Sequence, residues 1–373
     1  FTLRYELLGT GEGQHRLTFE GRVDFDIYAN SKPTWYPASL TSDPITSDNY
    51  NVTTNDESNR TKMGVRTTLT YTPYFKNEDW SASMLVRYEM NTSKSNSQNV
   101  SIGNLPNGVT SPTVDAYLKA MGSSASRSND QSMMYNGHLS YKGGRYSLGF
   151  SLRADGNSKF GPKNKWGYFP AVSLRYNLSD EPFMKWSEKV ISMLGLRGSW
   201  GINGKAPSKD NLFFSTYGQT GALQQTATLS GIRLDDLRWE KTTGINLGFN
   251  LGLFNDKLEI DFDYYYKSTK DLLMENVGIA SSAGFSTLPY ANVGKMTNEG
   301  WEVNLSARRF VKVGKFSMDA SFNIAQNYNE IAAMDESVLS SINSEWSASS
   351  RGSYLNRIQV GNPMGSIYGY RYK

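Results

Sequence analysis

The stretch GINLGFNLGL (Gly244–Leu253), followed after a turn by LEIDFDYYYK (Leu258–Lys267), decides the fold class. In the first segment Ile245, Leu247, Phe249, Leu251 and Leu253 occupy every second position, separated by Gly244, Asn246, Gly248, Asn250 and Gly252. Phe254-Asn255-Asp256-Lys257 makes the turn, and the alternation resumes with Leu258, Ile260, Phe262, Tyr264 and Tyr266 against Glu259, Asp261, Asp263, Tyr265 and Lys267. A period of two sends alternate side chains to opposite faces of a strand, so these residues spell a hairpin with one apolar and one polar face. The apolar face needs a partner, either a protein core or a lipid bilayer.

Composition narrows that choice. The chain has 373 residues and an apolar fraction of 38%, with a mean hydropathy of −0.52. No run approaches the ~18 apolar residues of a transmembrane helix. That excludes a helical membrane protein but not a membrane barrel, whose strands are only half apolar. Aromatic residues reach 13%, including 23 Tyr, and there are 34 Gly. Both enrichments favour β structure rich in turns. With no Cys, disulfides, thiolate catalysis and thiolate-held metals are ruled out. A net charge of +4 is mild for this length and gives no reason to expect a nucleic-acid partner.

The same alternation recurs along the whole chain. It predicts strands near 2–8, 15–29, 61–73, 80–90, 131–142, 145–154, 168–178, 191–201, 239–253, 257–269, 299–310, 315–328 and 354–360. The connections alternate strictly in length. Short ones at 9–13, 73–79, 143–144, 179–190, 254–256 and 311–314 are interleaved with long ones at 30–60, 91–130, 155–167, 202–238, 270–298 and 329–353. In an up-and-down sheet, this rhythm collects all short turns at one end and all long loops at the other. An outer-membrane barrel has that organisation, with short periplasmic turns and long extracellular loops; a β-sandwich adhesin has no reason for it. Strands of about ten residues match the ~9–11 that cross a bilayer at a tilt. A one-residue register slip would turn each polar face to lipid. Trp80, Trp166, Trp200, Trp239 and Trp301 lie at or near strand ends, where an interfacial aromatic girdle belongs.

Several segments then show a family likeness. RADGNSKFGPKNKWGYFPAVS (Arg153–Ser173) resembles a stretch of the SusC/RagA group of TonB-dependent outer-membrane transporters. LGLRGSWGINGK (Leu194–Lys205), the residues Leu237–Leu273, NVGKMTNEGWEVNLSARRF (Asn292–Phe310) and GNPMGSIYGY (Gly361–Tyr370) are similar to later parts of that family, in the right order. The resemblance implies an all-β fold: a transmembrane antiparallel up-and-down β-barrel of about 22 strands, closed by a plug. About thirteen of those strands would lie in residues 1–373, making the chain part of one barrel domain. The plug, signal peptide and final strands would lie outside it. It further implies uptake of large nutrients, oligosaccharides or peptides, across a Gram-negative outer membrane. Its partners would be the TonB complex, reached through segments outside this chain, a SusD-like surface lipoprotein and membrane lipid. A passive porin and, less in keeping with the loops, a β-sandwich adhesin are the alternatives.

On this reading the polar faces line a lumen. Glu259, Asp261 and Asp263, with Arg153, Arg175 and Arg308 on other strands, either pair across the barrel wall, hold a plug, or simply wet a water-filled interior. Sugar rings stack on aromatic faces, so the loop residues Trp35, Tyr36, Tyr217, Phe285, Tyr290 and Trp346 are the substrate-binding candidates. Loop packing is the competing role for each.

Other chemistry finds little support. Asp155-Gly156-Asn157-Ser158-Lys159 looks like the start of a calcium loop, but Lys159 falls on a ligand position and no later bidentate Glu follows in register. Gly9–Gly13 joins two β patterns without a following helix, so it is a turn and not a phosphate cradle. His15 and His138 are the only histidines. Neither sits in a metal-spaced or triad motif, and no Gly-x-Ser-x-Gly elbow precedes a helix. No cofactor, metal or catalytic residue is predicted, and the chain is not expected to be an enzyme.

Overall fold

The computed structural model describes residues 1–9, 11, 13–106, 109–110, 117–220, 226–279, 282, 284–314, 316–344, 355–356 and 358–368. In chain order the main strands are β1 (Thr2–Leu8), β2 (Arg16–Tyr36), β3 (Val52–Thr72), β4 (Trp80–Gly103), β5 (Tyr117–Tyr141), β6 (Tyr146–Asn157), β7 (Trp166–Asn177) and β8 (Ile191–Lys205). A small hairpin follows, β9 (Thr216–Thr220) and β10 (Thr226–Gly231), then β11 (Glu240–Leu253) and β12 (Leu258–Lys270). A second small hairpin, β13 (Leu273–Gly278) and β14 (Thr287–Asn292), precedes β15 (Gly294–Val313), β16 (Phe316–Met334) and a short helix, α1 (Glu336–Ser344). Last come β17 (Leu355–Asn356) and β18 (Ile367–Tyr368).

Twelve strands form one sheet in the order β1-β2-β3-β4-β5-β6-β7-β8-β11-β12-β15-β16. Neighbours in this meander are neighbours in sequence apart from the two hairpins, which make separate two-stranded sheets. Twelve of the thirteen predicted strands are therefore in the sheet. Of the thirteenth, 354–360, the strand residues among those described are Leu355–Asn356, which pair with Ile367–Tyr368.

The chain divides into two compact units. One comprises Phe1–Leu3, Glu20–Thr67 and Glu89–Gln131; the other comprises Arg4–Phe19, Thr68–Tyr88 and Ser132–Lys373. Within the first, the segments predicted as loops at 30–60 and 91–130 are largely β ribbon, since β2 runs to Tyr36 and β4 to Gly103. Sequences such as NTSKSNSQNV (Asn91–Val100) are polar on both faces and carry no apolar alternation, so the pattern cannot reveal them as strand. Cross-strand polar pairs join their ladders: Thr92 Oγ1 donates to Asn129 Oδ1 at 3.1 Å, and the Ser97 and Ser124 hydroxyls meet at 2.7 Å. At the loop end of β2 and β3 the fully buried Asn51, in the left-handed region at φ 47°, donates to the carbonyls of Leu105 and Pro106 and accepts from the Trp35 indole at 2.7 Å.

In the second unit, β11 pairs with β12 from Lys241↔Lys270 to Leu253↔Leu258, with Phe249 opposite Phe262 and Gly248 opposite Asp263. This is the register that keeps the two faces apart. Tyr176, Leu196, Phe249, Phe262, Val303 and Ile324 fall in one row across six strands. That row belongs to the apolar face, which stays largely uncovered: Leu247 is 54% exposed and Phe322 58%. A soluble sheet would bury such a surface, whereas a membrane barrel presents it to lipid.

The connections follow their chemistry. Phe254, Asn255 and Asp256 are all left-handed (φ 56° to 58°), and the turn is held by Asp256, whose amide donates to Ser192 Oγ while that hydroxyl donates back to its carboxylate. The connection 179–190 contains two 3-10 turns, Leu178–Asp180 and Pro182–Ser187. The long connections 202–238 and 270–298 hold the two small hairpins, and 329–353 holds α1. Asp335 caps that helix by accepting the Ser337 amide and hydroxyl, which hold its carboxyl below the usual range. Val338 then packs against Val277 and Val293.

Candidate functional site

The polar face of β8, β11, β12 and β15 is assembled from rows of residues that lie opposite one another. In one row Gly248 sits between Arg197 on β8 and Asp263 on β12. The Arg197 guanidinium spans the intervening strand, with Nε donating to Asp263 Oδ1 at 3.1 Å and a terminal nitrogen donating to Oδ2. A Cβ at position 248 would lie 2.6 Å from that carboxylate and 2.9 Å from Arg197 Nε, so the ion pair requires glycine there. The next polar row repeats the device with different chemistry. Tyr265 lies across Gly300 and its hydroxyl donates to Asn327 Oδ1 at 3.2 Å. Alongside, Asn250 donates to Asp261, and Arg308 pairs with Glu259 at 2.9 Å.

Sequence reasoning found the three carboxylates and Arg308 but paired them incompletely. Arg153 bonds Asp155 two residues along its own strand at 2.8 Å, and Arg175 likewise bonds Asn177 at 3.0 Å; neither meets the β12 carboxylates. Arg197 was missed as the partner of Asp263. Its signal was present: Gly195, Arg197, Ser199 and Gly201 alternate with Leu194, Leu196 and Trp200, and a glycine stands opposite. An open groove of about 700 Å³ runs along this face, lined among others by His138, Ser173, Ser199, Asn246, Tyr265 and Lys267.

The long connections of this unit build a core of their own. Phe160, Phe169, Leu212, Leu237, Trp239 and Tyr290 form one buried cluster, with the Trp239 ring 4.7 Å from Phe160 and edge-on to Phe169 at 5.5 Å. Trp239, placed in a membrane girdle by its position near a strand end, is 7% exposed and belongs to this loop core. Tyr290 is 3% exposed. Its hydroxyl donates to Glu275 and lies 2.6 Å from Ser208 Oγ, which itself donates to Glu275 Oε1 at 2.9 Å. These bonds, with Lys209 nearby, hold the Glu275 carboxyl below its usual range. Lys159 ties the same region. Its ammonium donates to the carbonyls of Pro207 and Ser208, each at 3.0 Å, and lies 3.6 Å from Asp210.

Of the other aromatic candidates, Tyr36 and Tyr217 are exposed, Phe285 is half-buried, and Trp35 is bonded to Asn51. Trp346 lies outside the described residues. Within the second unit, Tyr290 joins the buried loop cluster, and Tyr217 and Phe285 do not. Among the described residues no group of His, Asp or Glu has the arrangement of a metal site.

A two-faced antiparallel meander with a polar wall and structured long connections is the wall of a membrane barrel. The family described as TonB dependent receptor-like, beta-barrel matches residues 1–372. The chain belongs to that family, and its place is the outer membrane. It is 35% identical over 230 residues to TonB-dependent receptor P39 of Formosa agariphila, a match covering 61% of this chain and 21% of the relative. It is 33% identical over 230 residues to TonB-dependent receptor SusC of Bacteroides thetaiotaomicron, covering 59% of this chain and 22% of that one. The chain thus spans about a fifth of the curated relatives it matches. In fold it is similar to a solved structure of the RagAB peptide transporter, with a TM-score of 0.73 and 20% identity, covering 91% of this chain and 37% of that one.

Proposed function

We propose that residues 1–373 are part of the barrel wall of an importer that takes up large nutrients, oligosaccharides or peptides, in a TonB-dependent manner. The observation that carries the reading is the continuous polar face of β8, β11, β12 and β15, backed strand for strand by an uncovered apolar face. In a membrane barrel such a polar face lines the lumen. Arg153, Arg175, Arg197, Glu259, Asp261, Asp263 and Arg308 would then border the solute path, and the exposed Tyr36 and Tyr217 would offer stacking surfaces outside it. The names of the relatives support the transport class, and the RagAB and SusC likenesses support a surface lipoprotein of the SusD type as partner. On this reading the plug, signal peptide and remaining strands would come from the rest of the protein.

The test is uptake by cells carrying or lacking the full-length gene, in backgrounds with and without a working TonB system. Loss of growth on a particular oligosaccharide or peptide in both the gene-deleted and the TonB-disrupted cells is the expected result. Uptake that persists without TonB but needs the gene would make the protein a passive porin and overturn the proposal.

A further inference from the structure

At the short-turn end of β4 to β7, the apolar face is unusually aromatic. Trp80 opens β4, Tyr141 closes β5, Tyr146 opens β6 and Tyr176 is next to last in β7. Their rings form a chain: Trp80 lies 4.4 Å from Tyr141, Tyr141 6.0 Å from Tyr146, and Tyr146 stacks on Tyr176 at 5.0 Å. Beside them runs an open groove of about 460 Å³ whose walls include Leu139, Leu148 and Leu174 and are almost wholly apolar. The polar ends of this group are gathered at the turns. The Tyr146 and Tyr176 hydroxyls donate to Glu181, which Arg145 pairs with at 3.3 Å, and the exposed Lys142 ammonium stands 5.4 Å from the Tyr141 ring centroid. Directly after Glu181, the 3-10 turn Pro182–Ser187 presents Phe183 and Trp186, 62% and 81% exposed, with Lys185 between them.

We infer that this rim is a binding site for one phospholipid of the periplasmic leaflet, with an acyl chain in the Leu139–Leu148–Leu174 groove and the headgroup phosphate drawn to Lys142. The inference rests on the barrel reading, which makes the apolar face a lipid contact and the short-turn end periplasmic. The groove continues that contact surface and supplies what a bare sheet lacks, a concave apolar slot ending in aromatic rings and a cation. Aromatic rings with polar tips favour the headgroup level, and a lysine near the membrane surface attracts anionic lipid. Arg145 is paired with Glu181, and the exposed Lys142 is the cation beside the Tyr141 ring. Phe183 and Trp186 extend the interfacial anchor.

The experiment uses the full-length protein, delipidated in detergent and titrated with dioleoylphosphatidylglycerol, with bound lipid counted by native mass spectrometry. One lipid is expected to remain bound at the lowest concentrations. Lys142→Gln, at an exposed turn position, is expected to weaken it about fivefold. Leu174→Trp, which fills the groove, is expected to abolish it. No retained lipid in the wild type, or unchanged binding in either variant, overturns the inference; if Leu174→Trp does not fold, Lys142→Gln decides alone. Unboiled wild-type protein that migrates like the boiled sample on a gel would sink the barrel reading itself. Compact migration without retained lipid would sink only this site.

Discussion

Arg197 and Asp263 are bonded to each other although they lie on strands that are not neighbours. The guanidinium crosses β11 at Gly248, where the intervening strand puts no side chain in its path. The interaction is thus as much a property of the glycine as of the charges. Glycine-to-alanine at 248 drives a methyl group into the Phe262 carbonyl and the carboxylate and should destabilise the barrel by about 1–3 kcal/mol, the usual cost of overpacking. Arg197→Ala loses only a partly exposed ion pair and should cost less than about 1 kcal/mol. The midpoints of heat-induced gel-mobility shift for the two variants check this order.

Adjacent residues on one strand should respond oppositely to the same substitution. Leu247→Arg places a charge on the lipid face and should cost about 2–4 kcal/mol near mid-bilayer. Asn246→Arg, facing the other way, should cost a small fraction of that. Folding yield into lipid vesicles, measured for both, decides whether the faces are correctly assigned.

The Glu275 carboxyl is held below its ordinary range, first by the Tyr290 hydroxyl and then by Ser208. Its contribution to loop order is fully present above the unfolded carboxylate range near pH 4.3 and is lost as pH falls through the lower folded value. Hydrogen exchange of the β13–β14 hairpin should therefore be slow at pH 6 and accelerate, beyond the intrinsic pH effect, at low pH. Tyr290→Phe removes the largest cause and should flatten that dependence.

Three successive left-handed residues make the β11–β12 turn, and Phe254 is the one whose side chain tolerates this least. Phe254→Gly should relieve about 1 kcal/mol of backbone strain, visible as slower unfolding in denaturant. An unchanged or faster rate would mean that the exposed Phe254 ring contributes more than its backbone conformation costs.

The twelve strands of the sheet were readable because bilayer-facing strands carry a period-two apolar signal and a one-residue slip reverses every face. The ribbons at 30–60 and 91–130 were not, because water on both sides leaves no alternation to read. The site divided along the same line. Glu259, Asp261 and Asp263 announced a polar face, but their partners, Arg308 and Asn250 on adjacent strands and Arg197 two strands away, follow only from the register. Trp239 was misplaced for a different reason; Tyr290, whose competing role was loop packing, joins it in the same buried cluster. Position near a strand end says nothing about whether a loop folds back over the ring, and here residues 160, 212 and 237 do so.

Lys159 has a consequence for the environment in which this surface works. Extracellular loops rich in carbonyl and carboxylate oxygens are commonly cemented by dissolved divalent ions. In this region the positive charge among Pro207, Ser208 and Asp210 is covalently attached to the chain. A tethered counter-ion cannot be diluted away or stripped by a chelating nutrient, so this cross-link needs no divalent ion from the surrounding medium.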